Sequence, residues 1–327
     1  MTSNRTLAAG VPAASIAADG RGGGGASASA FSRRWAAIVA LVSVTLLPAI
    51  ANAIGNVYVF GDSLSDTGNN ALLLGTDPGQ VITDNTYIPT HPYASGRYSN
   101  GEVWTVGFAA SLGLGGSASL AGGNLYAYGS ARSRTDGPQG QPSVRAQVSA
   151  YLQAHRGVAD PDALYIIECG GNNARDTLDA IAGGAPLLRT LTTASRQYAA
   201  DVKLMAEQLG KAGARSIVVW NTPDLSLSPA VRAEGPSAVA LARTVVRSMN
   251  DALTGALAGQ TGVSVFDAFS LFDEVAAHPA EHGLLNVTDA CGAVAGCDPS
   301  TYLFWDGIHP TSAGHGIIGS AMTAAVQ

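Results

Sequence analysis

The chain has 327 residues, 46% of them hydrophobic, and its 24 acidic against 18 basic side chains leave a net charge of −6. That is enough chain for a full globular core, and the acidic balance lacks the basic footprint of a nucleic-acid binder. Three cysteines with no CxxC spacing give no metal-type cysteine motif.

Residues 1–32 are rich in Ala, Gly and Ser, include Gly22 to Gly25 in a row, and carry no apolar periodicity. Such a segment cannot build a core and reads as a disordered lead. Arg33-Arg34, the apolar run Trp35 to Leu47 and Ala51-Asn52-Ala53 follow, the three regions of a secretory signal peptide with cleavage after Ala53. A membrane anchor would need a longer uninterrupted apolar stretch than Pro48 and Asn52 allow. Ser32-Arg33-Arg34 hints at twin-arginine export, and a lead this long ahead of a signal peptide suggests a translation start further into the chain. Without residues 1–53, which hold four Arg and one Asp, 274 residues remain, with 14 Lys+Arg against 23 Asp+Glu and a charge near −9. A secreted or periplasmic single domain over 54–327 is expected, with no stable membrane anchor after cleavage.

Val57-Tyr58-Val59-Phe60 is a short β-branched and aromatic run stopped by Gly61, the pattern of a buried strand. Gly61-Asp62-Ser63 then turns and leaves Ser63 at the strand's C-terminal end, where open α/β sheets bind ligands. Residues 68–101 are irregular; Tyr87, His91, Tyr93 and Tyr98 are candidates to line a pocket there, and the loops 68–100 and 273–301 are expected to shape it. A helix is expected over 101–112, a strand over 124–128 ending at Gly129-Ser130, and a helix through Val144, Val148, Tyr151 and Leu152. The apolar strand 163–169 ends in Gly170-Gly171-Asn172-Asn173, and a long amphipathic helix runs from Leu187 to Leu209, closed by Gly210 and Gly213. Strand 216–220, a helix through Val239 to Leu253, strand 263–266 and a closing helix 312–325 complete the order. Strands alternating with helices predict a parallel sheet covered on both faces, with no internal repeat.

Cys291 and Cys297 can close a small disulfide loop, as suits an oxidising compartment, and Cys169 at a strand end reads as a buried thiol. Just before the last helix lies Phe304-Trp305-Asp306-Gly307-Ile308-His309-Pro310. Asp and His three residues apart in such a turn can bring the carboxylate to Nδ1–H and leave Nε2 free to take a proton from Ser63. Acyl transfer also needs donors aimed at an oxyanion, and three stand at strand ends: Ser63 N–H, Gly129 N–H and the Asn172 side-chain amide.

Four blocks in this order resemble the GDSL esterase/lipase family of SGNH hydrolases: Ser63 in GDSLSDTGN, Gly129 in YAYGSA, Asn172 in GGNN, and Asp306 with His309 in DGIHP. The resemblance runs from about Gly55 to the C-terminus. SNGEVW at 99–104, NTPDLSLSPAV at 221–231 and the Cys291/Cys297 loop are similar to its secreted bacterial branch of phospholipase/haemolysin-like enzymes and autotransporter esterases. It implies a three-layer α/β/α sandwich with a flavodoxin-like sheet, and an ester hydrolase with a Ser63, His309 and Asp306 triad, no cofactor and no metal. The partner implied is a small-molecule or lipid ester. Two positions depart: Asn173 stands where the family usually has Asp, which is expected to tune the loop, and Ser130 stands where a second Gly is common, which is expected to narrow the oxyanion side. The chain ends at Gln327, with no segment for an autotransporter barrel expected.

An α/β-hydrolase elbow would need Gly where Ser65 stands, and its acid lies far from its His in sequence. His278-Pro-Ala-Glu-His282 matches an H-x-x-E-H zinc motif, but Pro279 and Gly283 disrupt the helix it requires. The rival of a different class is a non-catalytic glycan- or lipid-binding domain on the same fold.

Overall fold

The computed structural model describes residues 54–86 and 88–327. The signal-peptide reading of 1–53 and the candidate Tyr87 lie outside the described residues. Strands β1 (Asn56–Phe60), β2 (Ala163–Ile167), β3 (Ser216–Trp220) and β4 (Val263–Phe266) pair in that order, all parallel. Helices α1 (Asn69–Leu74), α2 (Trp104–Ser111) and α3 (Val144–Ala154) lie between β1 and β2 in sequence. Helices α4 (Gly171–Ala182) and α5 (Leu187–Ala212) follow β2, and α6 (Pro229–Ala233) and α7 (Pro236–Leu257) follow β3. After β4 come α8 (Ala268–Ala277), a two-stranded parallel ribbon β5 (Asn286–Ala290) and β6 (Tyr302–Phe304), and α9 (Ser312–Val326).

Alternation along the strands sorts the core into two layers, because successive side chains leave a strand on opposite faces. Tyr58, Phe60, Tyr165, Ile167, Ile217 and Val219 pack under α3, α5 and α7 through Val148, Tyr151, Val202, Met205, Val245 and Met249. Val57, Val59, Leu164, Ile166, Val218 and Trp220 face the other way, against Trp104 and Phe108 of α2, Phe272 of α8, and Ile318 and Met322 of α9. This is a three-layer α/β/α sandwich, and burial on both faces explains why β1, β2 and β3 read as continuous apolar runs, while the edge strand β4 is partly exposed.

The expected strand 124–128 forms no continuous ladder. It touches the β1 edge through a Val59–Leu125 bridge, with Tyr126 N–H donating to Val59 C=O and Tyr128 N–H to Gly61 C=O. Its backbone groups are shared with side chains instead: Asn69 Nδ2 donates to the carbonyls of Leu125 and Ala127. With that segment counted at the edge, the order is the flavodoxin-like one. Helix α5 runs through Gly210 and stops at Gly213, whose φ of 117° suits glycine. Among the described residues no helix is long and apolar enough to cross a membrane.

Candidate active site

The C-terminal ends of β1 and β2 bring the first and third sequence blocks side by side, and the turn before α9 brings the fourth. Ser63 Oγ lies 2.9 Å from His309 Nε2, and His309 Nδ1 lies 2.7 Å from Asp306 Oδ2. Asp306 is fully buried, and Ser63 and His309 are 8% and 3% exposed. The turn is held by Asp306 itself, whose Oδ1 accepts the N–H groups of Ile308 and His309 at 2.8 and 2.7 Å. One carboxylate thus fixes both the backbone that carries the imidazole and the imidazole's orientation. With Nδ1 protonated toward Asp306, Nε2 is the ring atom free to accept the serine proton.

The surroundings of this array come from distant chain. Tyr93 O–H donates to Asp306 Oδ2 at 2.8 Å, and the Tyr98 ring lies 5.3 Å from the His309 ring. These two of the loop's candidates support the turn from behind; His91 does not, its Nδ1 lying 3.2 Å from Thr90 Oγ1. The cleft wall also departs from expectation. It is built by Leu64, Pro223, Leu225, Phe272, Phe304 and Ile308, together with Asn172 and Arg175, and no described residue of 68–100 or 273–301 lines it. The loop after β3 reaches over the strand ends because Asp224 caps its own turn, accepting Ser226 N–H at 3.0 Å, while also pairing with Arg243.

Beneath Ser63 the turn rests on side chains that no local pattern marks. Gly61 N–H donates to Gln147 Oε1 at 2.8 Å, and Gln147 Nε2 returns a bond to Gly61 C=O at 2.9 Å. Glu168 Oε2 accepts Asp62 N–H at 3.1 Å and Ser65 Oγ–H at 2.9 Å, and Ser65 Oγ accepts the Trp104 indole N–H at 3.0 Å. A Cβ on Gly61 would sit 2.6 Å from Glu168 Oε2 and 3.0 Å from Glu168 C=O, so any larger residue there would displace the carboxylate beneath the turn. Glu168 is buried, and desolvation first and Asp62 second push its carboxyl well above the usual range. Burial likewise pushes Asp62 up to about 6.

Of the three expected oxyanion donors the structure corrects one. Gly129 N–H donates to Asp66 Oδ2 at 2.9 Å rather than facing the cleft, which Gly129 does not line. Asp66, fully buried, also accepts the N–H groups of Gly68, Asn69 and Asn70 at 2.7–3.2 Å, so the one carboxylate joins the first and second blocks. Ser130 beside it has φ 65°, a left-handed conformation held by a non-glycine residue. Asn172 Nδ2 donates to Ala131 C=O at 2.9 Å, while its approach to Asp62 Oδ2 is long at 3.4 Å, leaving that hydrogen available to a better acceptor. Asn173 holds the loop: its Oδ1 accepts Ser133 N–H and its Nδ2 donates to Ser133 Oγ, which in turn donates to Asp201.

Cys291 and Cys297 are bonded, and the loop they close packs on the Asp306 turn, Gly292 N–H donating to Trp305 C=O. Cys169 is a buried thiol. Pro279–His282 forms a single 3-10 turn that follows His278, and His282 Nε2 meets Glu274 at 2.6 Å.

A doubly wound α/β domain with a serine, an imidazole and a carboxylate in series at its strand ends defines a serine-hydrolase class of site. The model of the GDSL-like Lipase/Acylhydrolase family matches residues 57–322, and the chain belongs to that family. It is 25% identical to "Thermolabile hemolysin" of Vibrio parahaemolyticus, over 82% of this chain and 63% of that protein. It is 30% identical to "Esterase EstA" of Pseudomonas aeruginosa, over 86% of this chain and 49% of that protein. A GDSL esterase/lipase of Arabidopsis thaliana is 25% identical over 80% and 86% of the two chains. The chain thus spans less than two thirds of the length of these two bacterial relatives.

Proposed function

We propose that the protein is an exported carboxylic-ester hydrolase acting on a small-molecule or lipid ester through an acyl-enzyme. The observation that carries this is the unbroken series Ser63 Oγ to His309 Nε2 and His309 Nδ1 to Asp306 at 2.9 and 2.7 Å. His309 takes the Ser63 proton as the hydroxyl attacks the ester carbonyl, and Asp306 stabilises the imidazolium that forms. The Ser63 N–H and the Asn172 amide receive the oxyanion, and the apolar wall of the cleft takes the chain of the ester. His309 then hands its proton to the leaving alcohol, and water, deprotonated by the same imidazole, releases the acid. Family membership and the relatives named for esterase activity support this reading. Export is supported by the signal-peptide pattern before residue 54 and by a disulfide, which persists in oxidising compartments. We take 54–327 as one hydrolase domain after a cleaved leader of residues 1–53.

The test compares wild type with Ser63→Ala on chromogenic esters of increasing acyl length, alongside fluorophosphonate labelling. Hydrolysis and labelling in the wild type, both lost in the variant, are expected. A folded wild type that neither labels nor turns over would refute the hydrolase and leave the glycan- or lipid-binding domain.

A further inference from the structure

Five arginines among the described residues are half-buried: Arg97, Arg132, Arg145, Arg175 and Arg243. Four have a carboxylate within 4.0 Å, namely Glu102, Asp176, Asp201 and the Asp224/Asp273 pair. Arg175 has none among the described residues. Its one side-chain hydrogen bond among the described residues runs from Nη1 to Asn172 Oδ1 at 3.3 Å. The carboxylates around it are engaged elsewhere: Asp176 with Arg132 at 2.7 and 2.9 Å, and Asp62 with the Leu64 N–H. Asp179, one turn along α4, and then Asp176 and Asp62 attract it only from a distance. Arg132, the other cation nearby, repels it.

A guanidinium withdrawn from water without a carboxylate is costly, since the charge loses hydration and gains no counter-charge. Desolvation accordingly lowers the Arg175 pKa, where ion pairing raises those of Arg132 and Arg243. The side chain lines the same cleft as Ser63, His309 and Asn172, with most of its N–H donors uncommitted. A fork of donors at such a place matches a planar or tetrahedral anion.

Resting on the ester-hydrolase reading, we propose that Arg175 is the anion-recognition residue of this cleft, binding an anionic oxygen, phosphate or carboxylate, carried by the ester substrate. Because its Nη1 also holds Asn172 Oδ1, the anion sits on the oxyanion side of the scissile carbonyl, a few bonds from it. Neutral esters fill the apolar wall and leave Arg175 unpaired. Anionic esters neutralise it, and the gain appears in kcat/KM for those substrates alone.

The experiment uses the full chain as wild type, Arg175→Gln and Arg175→Lys, with circular dichroism as the check on folding. Three esters separate the anion sources: dibutyrylglycerol (neutral), dibutyryl phosphatidate (phosphate on the alcohol side) and 4-nitrophenyl succinate (carboxylate on the acyl side). Arg175→Gln is expected to lower the anionic-to-neutral ratio of kcat/KM by about tenfold or more, as loss of a charge-assisted hydrogen bond predicts. Arg175→Lys should retain part of that ratio, and the anionic ester affected identifies the source. An equal loss on all three esters would overturn the proposal, since Arg175 would then act only by holding Asn172. So would an unchanged ratio. A second readout needs no turnover: inorganic phosphate should raise the melting temperature of the wild type over chloride at equal ionic strength, and not that of Arg175→Gln. A wild type that hydrolyses nothing yet shows this Arg175-dependent shift would refute the hydrolase and keep the anion site. Normal hydrolysis with no difference in either readout would do the reverse.

Discussion

Replacing Asp62 by Asn removes a buried charge while leaving its main contact in place. Asp62 is 2% exposed, and its Oδ1 accepts Leu64 N–H at 3.1 Å, a bond an Asn carbonyl can keep. Its Oδ2 meets Asn172 Nδ2 only at 3.4 Å, so the amide that replaces it gives up little there. Burial raises the carboxyl from 3.8 to about 6. In that window the folded state binds more protons than the unfolded one, so folding stability falls as pH rises through it. The cost is absent well below the unfolded value and complete above the folded one. Linkage puts it at about 1 kcal/mol near pH ~4.5 and about 3 kcal/mol near pH ~8. Asn carries no such cost. The stability of Asp62→Asn relative to wild type should therefore grow by about 2 kcal/mol between those two pH values, or roughly 4–8 °C in melting temperature. Relief of the repulsion on Glu168 acts in the same direction. Urea melts of both proteins across the range measure the difference directly, and any pH-independent offset cancels. A difference that stays flat, or that shrinks as pH rises, would refute the picture of a carboxyl desolvated beneath the serine.

Two further outcomes follow from the site. Asn172→Ala should lower turnover on the order of 100-fold with little change in KM, since the amide is placed to gain its partner only as the oxyanion forms; unchanged turnover would remove Asn172 from the reaction. Thiol titration of the unfolded, unreduced protein should count one free thiol, Cys169, because Cys291 and Cys297 are bonded; a count of three would contradict the disulfide.

Much of this fold shows in the sequence because it is written locally. Val57 to Phe60, Ala163 to Ile167 and Ser216 to Trp220 are apolar runs of strand length, and Val263–Phe266 lies within its expected bounds. The amphipathic spacing of Val202, Met205 and Leu209, or of Val245, Met249 and Leu253, marks helices whose stripes do face the sheet. Helices α1 and α6 are too short to show that signal, and α4 and α8 also pass without an expectation, although α8 has an Asp267 N-cap accepting Ser270 N–H that a reading for caps could have found. Ser63, Asp306, His309 and Asn172 were legible because each stands in a short block at the end of a strand or before a helix.

What the sequence could not decide depends on contacts between residues far apart in the chain. Gly129 looked like an oxyanion donor, but Asp66, 63 residues earlier, takes its N–H. Glu168 reads as the tail of an apolar strand, and only folding brings it to Asp62 and Ser65 across more than 100 residues. Tyr93 finds Asp306 over a separation of 213, and Arg175 is one charge on a polar helix until the fold withdraws it into the cleft without a counter-ion. Periodicity and turn chemistry encode which surface of an element is apolar and where the chain bends. Which buried donor meets which acceptor, and which charge is left without one, is settled only when the layers pack and the polar groups inside compete for partners.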